Sequence, residues 1–227
     1  MKYGTGVLPS QIIREMIAKN IIKSEYAINE DQIQPASLDL RLAGRAIRVR
    51  ASFLTGKSET VIEKLEHYKM HEVDLSNGAV LEKGCVYVIP LLETLNLPSN
   101  IQAVCNAKSS TGRLDLLTRV ITNEGVEFDR VETGYIGPLY VEICPRSFSV
   151  LVRPGMRLNQ IRFRSGSTII TDIELKTAIS YFKKVISPSK QELQNHKDYL
   201  KSNLKKKIII LCSYKIFILT KFYFLLI

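Results

Sequence analysis

Several stretches of the chain alternate apolar and polar positions with a period of two. They are "ASLDLRL" from Ala36, "CVYVIPL" from Cys85, "IQAVCNA" from Ile101, "LTRVIT" from Leu117, "GPLYVEI" from Gly137, "SFSVLVR" from Ser147 and "NQIRFR" from Asn159. A period of two sends successive side chains to opposite faces, so each stretch predicts a short strand. The turn-forming stretches "SNG", "EKG", "LPSN", "ETGYIGP" and "RPGM" separate them. A helical period shows near the start. Ile12, Ile13, Met16 and Ile17 lie three to four apart up to Asn20, and Ser10 is placed to cap them. A second helix is predicted from Glu59 to about Lys69. Many short strands at such spacing predict a mainly β fold, a sandwich or barrel rather than a βαβ sheet.

Length and composition narrow this little. The 227 residues hold one large domain, or one with an appendage, and 45% hydrophobic content suffices for a packed core. Cys85, Cys105, Cys144 and Cys212 form no CxxC pair, which argues against a disulfide framework and fits a reducing cytosol. The N-terminus "MKYGTGVLPSQIIREM" has no apolar core of a secretory signal.

Charge changes the picture once it is divided. The net charge is +10, but ten lysines and two acids fall from Lys183 onward, giving +8 there. The first 182 residues carry 22 basic and 20 acidic side chains, or +2. A nearly neutral body does not suit nucleic-acid binding. We therefore expect a domain over 1–182 and an atypical basic, hydrophobic tail over 183–227. The tail's last segment, "IIILCSYKIFILTKFYFLLI", is an apolar run broken by Lys215 and Lys221. It reads as a poor membrane anchor, a docked segment, or an out-of-frame gene end.

Three groups of residues carry candidate chemistry. His67 and His71 would share a face if "EHYKMHE" were helical, yet no third ligand stands out, so solvated histidines are expected rather than a metal site. A zinc deaminase signature is absent. Glu142 sits inside the apolar "GPLYVEI". Alternation puts it on one face with Tyr140, while Leu139, Val141 and Ile143 take the other. That face is either solvent-exposed or the wall of a pocket in which Glu142 is a general base. The stretch "NAKSSTGRLDL" gathers Lys108, Ser109, Ser110, Thr111, Gly112 and Arg113. It is either a capped turn or a cradle for phosphate oxygens.

Taken together, "KSSTGRLDL", "TRVIT", "RVETGYIGPLYVE" and "RPGMRLNQIRF", with the earlier "IQPASLDLRL", resemble the dCTP deaminase family of the dUTPase-like superfamily. The resemblance runs from about Leu8 to Gly166, in the family's motif order, and is nearest to the first half of a long two-domain bacterial form. It favours a truncated or frame-shifted end for 183–227.

The resemblance implies a dUTPase-like distorted β-barrel or jelly roll, with an N-terminal helix and a short additional helix. It implies hydrolytic deamination of dCTP to dUTP and ammonia without zinc, in dUTP and dTTP-precursor synthesis. Magnesium would enter bound to the triphosphate, and a cytoplasmic homotrimer would form its active sites between subunits. By the same resemblance Glu142 is the general base, Ser109 orients the attacking water, and Arg113 steadies the polar site. Thr122 offers a backbone carbonyl to that water. Arg130 and Glu132 read base and sugar, and Lys108 meets a phosphate. Ser110, Gly112 and Tyr140 line the substrate site. The turn "NEGVEFD" is longer than in short family members, and its Glu124, Glu127 and Asp129 add negative charge. A lid with Tyr, Lys and Gln is not located. A dUTPase or bifunctional deaminase–dUTPase, with Glu132 or Asp129 serving the phosphates, and an inactive nucleotide-binding remnant remain alternatives.

Overall fold

The period-two stretches become strands. The computed structural model describes residues 5–166, with Lys176 and Ser180. The chain divides into two units, Met1–Thr168 and Ile169–Ile227, and residues 5–166 lie in the first. The expected boundary at 182 and the apolar tail lie outside the described residues.

In chain order the elements are β1 (Gly6–Val7), α1 (Ser10–Ala18), β2 (Ile22–Ser24), a single 3-10 turn (Glu30–Gln32), β3 (Ile33–Gln34), β4 (Ser37–Arg41) and β5 (Arg45–Val49). There follow α2 (Val61–Tyr68), β6 (Lys69–Asp74), β7 (Ala79–Leu81), β8 (Val86–Asn96), β9 (Ile101–Ala107) and α3 (Ser109–Arg113). The unit closes with β10 (Leu116–Thr122), β11 (Arg130–Val131), β12 (Ile136–Pro145), β13 (Val150–Val152) and β14 (Arg157–Ser165).

Two six-stranded sheets form the body. One runs β11-β9-β14-β4-β3, with β1 on β14, and the other runs β10-β12-β8-β5-β6, with β2 on β8. All the strand pairs are antiparallel. The main core draws Leu38, Leu40, Ile101, Ala103, Ile161 and Phe163 from the first sheet. It draws Ile89, Leu91, Val120, Leu139, Val141 and Ile143 from the second. Removing these apolar faces from water is what brings the sheets together. The expected mainly β architecture with a few short helices is what forms.

The second sheet is covered on its other face as well. Ile47, Val49, Val88, Ile121 and Tyr140 pack there against Phe53 and against Val61 and Leu65 of α2. The α2 N-terminus is closed by a reciprocal cap. Thr60 Oγ1 accepts from the Glu63 amide at 3.2 Å, and the Thr60 amide donates to Glu63 at 2.7 Å. Asn123 Oδ1 accepts from the Val61 amide at 2.9 Å.

One expectation needs correction. Ser10 does not cap α1: the amides of Ile12 and Ile13 both donate to the Pro9 carbonyl, so Ser10 is already helical and its hydroxyl turns to Gln11. His67 and His71 are solvated near a helix end, as expected. The helix stops at Tyr68, so His67 lies in the last turn of α2 while His71 lies on β6, and both are exposed.

One buried network ties the sheets at a corner. Glu93 on β8 is fully buried, and Oε1 accepts from Arg41 Nε on β4 at 2.7 Å and from Gln32 at 3.1 Å. Its Oε2 accepts from the Arg41 amide at 2.8 Å. Arg41 also donates to the carbonyls of Ala27 and Tyr26 and to Ser24 Oγ. Every polar group of this pair is satisfied, and breaking such a buried pair leaves an uncompensated charge. Glu93→Ala is expected to lower unfolding free energy by about 3–5 kcal/mol in denaturant titration. Arg41→Met/Glu93→Leu together should lose less than the two single changes summed.

Candidate active site

The site starts from a strand register. β10 and β12 pair antiparallel, with Arg119 opposite Glu142 and Ile121 opposite Tyr140. Tyr140 and Glu142 lie on the face away from the main core, as alternation predicts. That face is not in solvent: Tyr140 is 6% and Glu142 2% exposed. The segment after β5, carrying Phe53, and helix α2 cover it.

A carboxylate so deeply buried needs a partner. Glu142 Oε1 accepts from Arg119 Nε at 3.2 Å and from Nη2 at 2.5 Å. The other oxygen, Oε2, is buried and makes no hydrogen bond. The Arg119 guanidinium lies 3.8 Å from the centre of the Phe128 ring and donates to Ser52 Oγ at 3.0 Å. Sequence reasoning missed Arg119, which looked like one polar position of an ordinary alternating strand. The available signal was its place opposite Glu142 in a β10–β12 pairing.

The serine-rich stretch forms the single-turn helix α3. Lys108 and Thr111 anchor it to β14: the Lys108 amide donates to the Leu158 carbonyl at 2.9 Å, and Thr111 Oγ1 to the same carbonyl at 2.8 Å. Ser109, Ser110, Gly112 and Arg113 are exposed. Among the described residues the Arg113 side chain has no hydrogen bond or ion pair partner. Lys108 is engaged: its ammonium pairs with Asp39, a 1% exposed carboxylate on β4 that sequence reading left unremarked.

Glu142 and α3 do not meet within this chain. No hydrogen bond or ion pair joins Glu142 to Ser109 or Arg113 among the described residues. Arg119 lies three residues along β10 from Leu116, about 10 Å at strand rise, with α3 beyond that end. The structure thus joins Glu142, Tyr140 and Arg119 on one wall and Lys108 to Arg113 on another.

The long turn from Asn123 to Asp129 is a built feature. Thr55 Oγ1 donates to the Thr122 carbonyl at 3.0 Å and accepts from the Gly125 amide at 2.7 Å. The Thr122 carbonyl, expected to hold a water, therefore already has one donor, with a second lone pair to offer. A Cβ at position 125 would lie 2.7 Å from Thr122 Oγ1, so glycine fits there. Asp129 Oδ1 accepts from the Val120 amide at 2.8 Å, and burial raises the Asp129 pKa. Arg130 is exposed and paired with Glu127 at 3.1 Å and Glu132 at 3.0 Å. The extra acids are thus largely spent on local partners.

Among the described residues no three His, Cys, Asp or Glu side chains gather to hold a metal ion. Their three cysteines, Cys85, Cys105 and Cys144, are free thiols, and no helix among those residues is long and apolar enough to cross a membrane.

Residues 4–167 match the family model of the 2'-deoxycytidine 5'-triphosphate deaminase N-terminal domain. The crystal structure of 2'-deoxycytidine 5'-triphosphate deaminase from Agrobacterium tumefaciens is 53% identical over 77% of this chain, with a TM-score of 0.73. This chain spans about half of that protein, 51% of its length. A relative from Coprothermobacter proteolyticus named "dCTP deaminase, dUMP-forming" is 27% identical over 69% of this chain and 81% of its own. One of the same name from Nanoarchaeum equitans is 28% identical over 78% of this chain and 93% of its own. With the matched region covering nearly the whole described unit, the chain belongs to the dCTP deaminase family.

Proposed function

We propose that this chain hydrolyses dCTP to dUTP and ammonia in the cytoplasm, supplying dUTP for dTTP-precursor synthesis. The observation that carries the reading is the Glu142 carboxylate, buried, held at Oε1 by Arg119 and unpartnered at Oε2, in a member of this family. Glu142 takes a proton from water, and the resulting hydroxide adds to C4 of cytosine. Glu142 returns that proton to N3, then carries the proton of the new C4 hydroxyl to the exocyclic amine; the C4–N bond breaks, ammonia leaves and a C4 carbonyl remains. Burial suits this work, because a general base must be held in one direction toward the water it activates.

Ser109 orients the water, Arg113 faces developing charge, and the Thr122 carbonyl contributes its second lone pair. Tyr140 and Gly112 line the site, while Arg130 and Glu132 read base and sugar. Lys108 and Ser110 face the phosphates, with Asp39 holding Lys108 in place. The substrate is the magnesium complex of the triphosphate. Magnesium keeps phosphate and water ligands and needs no cage of protein side chains, which fits the donor set here.

The site is shared between subunits of a homotrimer. What supports this is the separation of its two walls within one chain: Ser109, Ser110 and Arg113 point outward, free to serve a neighbour's Glu142. The 1–182 region is the catalytic domain, and neither nucleic acid nor a membrane is a partner. A second reading, deamination followed by attack at the α-phosphorus, is favoured by the dUMP-forming relatives. Asp129 or Glu132 would be its carboxylate. Pyrophosphate appearing together with ammonia would select that reading, while dCTP binding without ammonia would contradict both.

Glu142→Gln should bind dCTP but lose at least about 100-fold in ammonia release, and a rate within a few-fold of wild type would contradict its role. Mixing inactive Glu142→Gln chains with inactive Ser109→Ala chains should restore part of the activity after subunit exchange. No recovery in demonstrably mixed oligomers would contradict a shared site. His67→Ala and His71→Ala should leave turnover unchanged, and activity lost to a chelator should return with added magnesium.

A further inference from the structure

We propose that Arg119 is a positioning residue for deamination: it fixes the Glu142 carboxylate so that Oε2, and not Oε1, receives the proton. The inference rests on the reading of Glu142 as general base. An arginine facing a carboxylate commonly forks, giving one N–H to each oxygen. Here Nε and Nη2 converge on Oε1 alone, at 3.2 and 2.5 Å. Oε2 is left buried and without a hydrogen bond. The two oxygens of one carboxylate are thereby made unequal.

Arg119 is itself held from directions other than the carboxylate. Phe128 presents its ring face 3.8 Å from the guanidinium carbon. Ser52 Oγ accepts from Nη2 at 3.0 Å. Nη2 carries two hydrogens, so it can serve Ser52 and Glu142 at once. Phe128 belongs to the long turn before β11, and Ser52 to the segment after β5. Segments that look like surface decoration therefore set the plane of the guanidinium. That plane decides which carboxylate oxygen it covers. Lysine cannot replace it, since a single ammonium neither forks nor stacks on a ring in this way.

The experiment measures steady-state ammonia release from dCTP by the full chain and by Arg119→Met, Arg119→Lys and Ser52→Ala. Wild-type protein must release ammonia first; if it does not, the functional reading fails, and this inference with it, before any variant is compared. Given wild-type activity, Arg119→Met should lower kcat about 100-fold, as misplacing a reacting group does, with KM for dCTP within roughly threefold. Arg119→Lys should lose nearly as much. Ser52→Ala should lower kcat several-fold with an unchanged melting temperature. A KM increase with kcat unchanged, or full activity in Arg119→Lys, would overturn positioning in favour of binding or of charge alone. Should Arg119→Met fail to fold, Ser52→Ala carries the test, and wild-type kcat in that variant overturns the inference.

Discussion

A carboxylate that is 2% exposed is costly to bury without a cation beside it, and the β10–β12 register supplies one. Arg119 stands opposite Glu142, on the same face and within hydrogen-bond reach. A slip of one residue would send Glu142 into the main core among Leu139, Val141 and Ile143, where no partner waits. A slip of two would set it opposite Leu117 or Ile121 instead. The site therefore depends on one pairing more than on any single loop.

Much of the remaining structure protects that pairing. Helix α2 and Phe53 close the face over Tyr140, and the Thr60–Glu63 cap starts the helix that does so. Thr55 ties the segment after β5 to the turn after β10 through Thr122 and Gly125. The same two segments bring Ser52 and Phe128 to Arg119. Away from the site, Arg41 and Glu93 lock β4 to β8. Asp39, also on β4, pairs with Lys108. One short strand thus braces both the sheet-to-sheet corner and the loop assigned to phosphates.

The sequence made a good part of this legible. "IQAVCNA" is β9 residue for residue, and alternation placed Tyr140 and Glu142 on a face of their own. What alternation alone left open was whether that face met water, because cover comes from residues distant in the chain. Arg119 and Asp39 were missed for a related reason. Each looks like the polar position of a normal strand, and only the neighbouring strand or loop reveals that it is buried or paired. "RAIRV" was not read as β5, because adjacent Ala46 and Ile47 break the alternation, although Ile47 and Val49 pack under α2. His67 and His71 were read as solvated despite a spacing that suits one helical face, and the helix does stop between them at Tyr68.

The most direct measurement is a crystal structure of the Glu142→Gln variant with dCTP and magnesium. The account predicts C4 of cytosine within reach of the residue 142 side chain, directly or through one water, on the side away from Arg119. It also predicts the phosphates on the Lys108–Arg113 stretch of a neighbouring subunit. Cytosine bound remote from residue 142, with Arg119 still covering that side chain, would contradict it.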